Sequence, residues 1–139
     1  MKNVLCNALL LLGLTSNVMV QAESNPFFGK YKTPFETPPF AKIKTEHYEP
    51  AFKRGIAELK ADIEKIANNS EPATFENTIV ALDRSGELLN RVSGAFFNVL
   101  SANANDEMME ISQRISPDLT ESSNNIYLNE KLFARVKAG

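Results

Sequence analysis

Residues 48–66 read YEPAFKRGIAELKADIEKI. Within them Tyr48, Phe52, Ile56, Leu59, Ile63 and Ile66 follow one another at spacings of 4, 4, 3, 4 and 3. That rhythm places all six on one face of a helix, while Lys53, Lys60, Asp62 and Glu64 fall off the stripe. Thr45 is the predicted cap, with Glu46 and Glu49 in a first turn where the helix dipole favours acids. Pro50 sits early enough to be tolerated. Asn68-Asn69-Ser70-Glu71-Pro72 ends the segment. A half-buried strand would alternate apolar and polar residues, and no stretch of the chain does so. The fold class is therefore all-α.

Downstream, Thr74 is expected to cap a longer helix reaching about Leu100. Phe75, Ile79, Leu82, Leu89, Phe96 and Leu100 form its main stripe, and Leu88, Val92, Ala95 and Val99 open a second one beside it. Gly86, Ser93 and Gly94 read as small residues that let another backbone approach, at a cost in helix propensity. Asn105-Asp106-Glu107 starts a third helix, with Met108, Ile111, Ile115, Leu119, Ser122 and Ile126 on one side. Pro117 is expected to kink it or leave a local break. Asn129 caps a fourth, with Leu132, Phe133 and Val136 predicted to point inward. Residues 45–139 thus form one helical region.

Upstream, five of the seven prolines (Pro26, Pro34, Pro38, Pro39 and Pro50) fall within residues 26–50. They predict an extended arm over 23–44, because each fixes its own φ and biases the residue before it away from helix. The arm carries Phe27, Phe28, Tyr31, Phe35 and Phe40, more rings than a disordered linker has reason to hold. They are expected to lie in grooves of the helical body. Residues 1–22 have the order of a secretory signal peptide: Lys2, an apolar core from Val4 to Leu14, then Val20-Gln21-Ala22 as a small-residue cleavage pattern. The apolar run breaks too early for a span of ~20 residues. The expectation is an exported, periplasmic protein with no membrane association after cleavage. The mature chain would hold 117 of the 139 residues, without Cys6 and with net charge −3.

The inventory of side chains excludes much. Fifteen Lys and Arg against 17 Asp and Glu give a net charge of −2, which offers no electrostatic reason to bind nucleic acid. A single His and a single Cys cannot build a two-histidine zinc motif or a disulfide framework. His47, between Glu46 and Glu49, lacks the ligand count of a metal site and reads as an acidic helix start. No partner base is identified for a hydroxyl nucleophile, no glycine-rich phosphate loop is present, and Met108 and Met109 read as core filler. The residues alone assign no catalytic, cofactor-binding or metal-binding position.

Several stretches in order carry a more specific signal. They are Asn25-Pro26-Phe27-Phe28, Thr33-Pro34-Phe35, Thr37-Pro38-Pro39-Phe40, the run from Ile43 to Phe52, Thr74 to Leu82, Leu89 to Gly94, Ile126 to Asn129 and Leu132 to Val136. Together they resemble the N-terminal region of the bacterial peptidyl-dipeptidases (dipeptidyl carboxypeptidases) of the thimet oligopeptidase-like zinc metallopeptidase family, over essentially all of residues 25–138. The resemblance implies a much larger helical enzyme with a deep channel for short peptides, whose zinc lies on a His-Glu-x-x-His helix far C-terminal to this region. His47 does not match that motif, so no catalytic or metal residue carries over, and this chain is expected to bind no zinc itself. What carries over is a role for the helices in the wall that restricts access to the channel. The expectation is an N-terminal fragment of an exported peptidase, inactive without the C-terminal catalytic region. The alternative is a standalone exported helical module, derived from that region, that binds peptides or inhibits a peptidase. Three helices and a stub are further expected to leave apolar surface uncovered, so that the isolated chain is aggregation-prone or molten.

Overall fold

The computed structural model describes residues 25–139; the expected signal peptide and the first residues of the arm lie outside the described residues. Four helices follow the arm: α1 (Tyr48–Ala67), α2 (Glu87–Asn103), α3 (Asp106–Tyr127) and α4 (Glu130–Ala138). No strand occurs among the described residues, and none of the helices there is long and apolar enough to cross a membrane. The fold is all-α, as the periodicity predicts.

Helix α1 is the hub, packing against α2, α3 and α4. Tyr48, Phe52, Ile63 and Ile66 of its stripe are buried, while Ile56 and Leu59 are half-buried. Ala51 and Gly55 widen the buried face. The main core joins Phe27, Tyr48, Ala51 and Phe52 to Leu88, Leu89, Val92, Ala95 and Phe96 of α2 and to Met108, Ile111 and Ile115 of α3. Phe52 and Phe96 meet edge to face with centroids 5.3 Å apart, and Tyr48 sits 5.0 Å from Phe96 in similar geometry. Such pairs add ~0.5–1.5 kcal/mol to the burial itself. A second, smaller cluster brings Ile63, Ile66 and Ala67 of α1 against Leu132 of α4.

The arm departs from a plain extended strand. Single 3₁₀ turns at Pro26–Phe28, Pro34–Glu36 and Phe40–Lys42 punctuate it, the first two opening on a proline whose fixed φ suits a first helical position. Phe27 is fully buried, and Phe28, Tyr31 and Ile43 pack against the core. Phe35 is the opposite case, 97% exposed at φ +59°, with Glu36 at +53°. Phe40 is also exposed. Only the N-terminal half of the arm therefore seats its rings in grooves.

Three helix boundaries differ from expectation. Thr45 does not cap α1: Thr45–His47 is a 3₁₀ turn in which the Lys44 N–H donates to His47 Nδ1 at 3.0 Å. The single helix expected from Thr74 to Leu100 is broken. Thr74 does cap, accepting from the Asn77 N–H, but a π-helical turn (Phe75–Val80) and one α turn (Ala81–Asp83) lead to Gly86. Gly86 stands at φ +68°, a left-handed conformation in which the chain restarts as α2. Conversely α3 runs unbroken through Pro117. In α4, Asn129 caps and Leu132 is buried, but Phe133 and Val136 face solvent.

Candidate functional site

The two glutamates flanking the one imidazole part in space. His47 Nδ1 is occupied by the Lys44 amide, and Nε2 lies 3.9 Å from Glu46 Oε1. Glu49 turns away, accepting from Lys53 Nζ at 2.9 Å and from Arg114 Nε at 3.1 Å. Those two hydrogen bonds hold its carboxyl below the usual carboxylate range. Among the described residues no three His, Cys, Asp or Glu side chains gather as a metal site would require. The described residues around His47 thus offer one imidazole and one nearby carboxylate, and His47 serves as an N-terminal fastener for α1.

A groove lies between the C-terminal halves of α1 and α3. Its volume is about 610 Å³. Ile56, Leu59, Ile63 and Ile126 give it an apolar floor, and Lys60, Glu64, Asp118 and Glu121 stand on its rim. Ser122, Asn125 and Asn129 add neutral polar groups to its lining.

Several residues that fasten the fold carry no catalytic motif. Asn25 is buried; its side chain accepts from the Phe27 N–H and donates to the His47 carbonyl at 2.9 Å, tying the arm to the start of α1. An Asn directly before a proline was the available signal, being the pattern of a capped helical turn. Arg91 donates to the Phe27 carbonyl at 3.2 Å and its guanidinium lies 5.2 Å from the Tyr31 ring centroid. Burial pushes the Tyr31 phenol up against the opposing pull of Arg91, and burial with Tyr31 nearby raises Tyr48 as well. Arg135 of α4 donates to the carbonyls of Asn69 and Glu71, to Asn77 Oδ1 and to Thr78 Oγ1. No sequence rule singles out an arginine that closes a loop 57–66 residues away.

No protein-family model matches the chain. Dipeptidyl carboxypeptidase of Escherichia coli (strain K12) is 45% identical over 114 residues, 82% of this chain, and that of Salmonella typhimurium is 42% identical over 115 residues, 83% of it. Oligopeptidase A of E. coli is 30% identical over 101 residues, 73% of the chain. The chain spans only 15–17% of the length of these relatives. With two dipeptidyl carboxypeptidases matched across four-fifths of its length and oligopeptidase A more distantly, the chain belongs to the dipeptidyl carboxypeptidase and oligopeptidase A family and corresponds to its N-terminal region.

Proposed function

We propose that this chain forms the N-terminal part of the channel wall of an exported zinc peptidyl-dipeptidase, an enzyme that releases C-terminal dipeptides from short peptides, and that it has no peptidase activity by itself. The observation that carries the reading is the 42–45% identity to dipeptidyl carboxypeptidases along most of the chain. The side-chain inventory supports the second half, since a His-Glu-x-x-His helix needs two histidines and the sequence has one. Export rests on the order of charge, apolar core and small residues in 1–22. Periplasmic location follows from it.

The test is a graft. Residues 25–139 replace the matched region of the E. coli dipeptidyl carboxypeptidase, and dipeptide release from a short peptide is followed by mass spectrometry. The graft is expected to release dipeptides, and the chain alone is expected to release none with or without added zinc. Activity of the isolated chain, or a folded but inactive graft, overturns the reading. One observation favours the alternative of a standalone binding module: the main core is closed by residues of this chain, from Phe27 to Ile115. Titration calorimetry of the chain with short peptides decides it, and a saturable heat would support that alternative.

A further inference from the structure

His47 is fastened through both its ring and its backbone. Nδ1 of the ring accepts from the Lys44 N–H at 3.0 Å, and the His47 N–H donates to the Lys44 carbonyl at 3.0 Å. The His47 carbonyl accepts from the Asn25 side-chain amide at 2.9 Å, and Asn25 in turn takes the Phe27 N–H at 3.1 Å. Phe27 is fully buried in the main core. One residue thus closes the arm at both of its ends, at Lys44 and, 22 residues back, at Asn25.

A ring nitrogen that accepts a hydrogen bond carries no proton, so the neutral imidazole holds its proton on Nε2, toward Glu46. A second proton can go only to Nδ1. There it would face the Lys44 N–H, donor against donor, at a place that requires an acceptor. The positive charge would also stand immediately before α1, at the end of the helix dipole that disfavours cations. The opposing pulls are weak. Glu46 lies 3.9 Å from Nε2, but its side chain is 70% exposed and is also 3.8 Å from Lys44 Nζ. On α1, Glu49 is engaged by Lys53 and by Arg114, which α3 brings to it. The arm contributes Asn25, which is neutral.

We infer that His47 makes the seating of the arm depend on pH: the neutral ring holds residues 25–47 against α1, and the protonated ring opens the turn at 44–47 and, through the His47 carbonyl, the hold on Asn25. An imidazole is the side chain that gains its proton between about pH 8 and about pH 5. The fastening is therefore complete at the alkaline end of that span and is lost toward the acid end. Glu49 acts separately, since its lowered carboxyl keeps its charge until the pH is more acid still. All of these contacts lie within this chain, so the pH dependence stands apart from the peptidase reading.

The test is amide exchange of the full chain at low concentration, at about pH 7.5 and about pH 5.5, with each rate divided by that of the unstructured sequence. Imidazoles titrate between these values and ordinary carboxylates do not. The Phe27 and Lys44 amides are expected to exchange roughly fivefold to tenfold faster at the lower pH, as the loss of one hydrogen bond implies. His47→Asn sets a side-chain oxygen in the place of Nδ1 and keeps an acceptor at every pH, so its corrected rates should be the same at both values. His47→Ala removes the acceptor and should show the faster rates at both. A second reading needs no variant: in the wild-type chain the Lys44 amide proton and the His47 Cε1 proton should shift with a common midpoint on acidification. Wild-type rates that do not respond to pH, or an Asn variant as pH-sensitive as the wild type, would overturn the inference. So would a Lys44 resonance that stays fixed while His47 titrates. Each of these results leaves the family assignment intact.

Discussion

Glycine at three helical or near-helical positions shows how little residue type says without its neighbour. A Cβ on Gly55 would lie 2.9 Å from both the Cα and the N of Leu89, whereas one on Gly94 would meet nothing within 4 Å. Gly55→Ala is thus expected to destabilise, because overpacking against backbone costs ~1–3 kcal/mol and outweighs the gain of up to ~1 kcal/mol in helix propensity. Gly94→Ala keeps only the gain and should stabilise by up to ~1 kcal/mol. Paired thermal melts check both, and equal shifts of the same sign would refute the assignment. Of the small residues expected to admit a neighbouring backbone, Gly94 has open space beside it, and Gly86 supplies a left-handed turn where a Cβ would lie 3.0 Å from the Leu59 side chain; the close backbone approach is at Gly55. Spacing alone could not separate these cases, since each lies beside an apolar stripe. At Glu49 the carboxyl is held below its ordinary range by Lys53 and Arg114, so the folded state binds the proton more weakly than the unfolded one. Its contribution is complete above the ordinary carboxylate range and is lost as pH falls through the lowered value. For a largely surface network it should amount to less than ~1 kcal/mol. Glu49→Gln is expected to lower the neutral-pH melting temperature slightly and to narrow the gap to wild type on acidification, as pH-dependent melts would show.

The elements divide according to whether their causes are local. Asn105 and Asn129 were readable as caps because a side-chain oxygen that accepts from the N–H three residues on is a local device, and both bonds form. The break at 84–86 was not readable, because Phe75 to Leu100 keeps a helical rhythm through Gly86. What interrupts it is tertiary: the Gly86 N–H reaches Asp62 Oδ2 at 3.3 Å across to α1. Pro117 shows the converse, since packing of Ile111 and Ile115 on one side and the half-buried Leu119 on the other carries α3 through a residue that cannot donate. Replacing it by Ala restores a donor at that position and removes a ring that opposes the preceding turn. Pro117→Ala is therefore expected to stabilise the chain, by up to ~3 kcal/mol. A melt that falls instead would mean the helix is shaped around the proline. The family was legible only through resemblance, because none of the matched stretches carries a catalytic motif of its own. Phe133 and Val136 fit the inward pattern of α4, and only the hydrogen bonds of Arg135 reveal which way the helix is turned.

At the scale of the whole molecule, a closed main core and the exposed side chains of Tyr127, Leu128 and Phe133 make opposite demands. Twelve buried residues from the arm and three helices form one cluster, enough to expect a single cooperative melting transition for residues 25–139 at low concentration. Those exposed apolar side chains predict that the same material associates as concentration rises. Sedimentation across a concentration series, alongside calorimetry, tests the two together; a broad transition at every concentration would instead match the molten behaviour expected from the helix count. The central place of α1 bears also on the order of events in folding. Its partner α2 lies nearest along the chain, so it can meet α1 first, while α3 and the arm close over longer separations, 65 residues from Glu49 to Arg114 and 64 from Phe27 to Arg91. Truncating Phe52 should accordingly slow refolding, whereas truncating Phe27 should chiefly hasten unfolding. If so, the arm is a latch that sets the lifetime of the folded molecule more than the speed at which it forms.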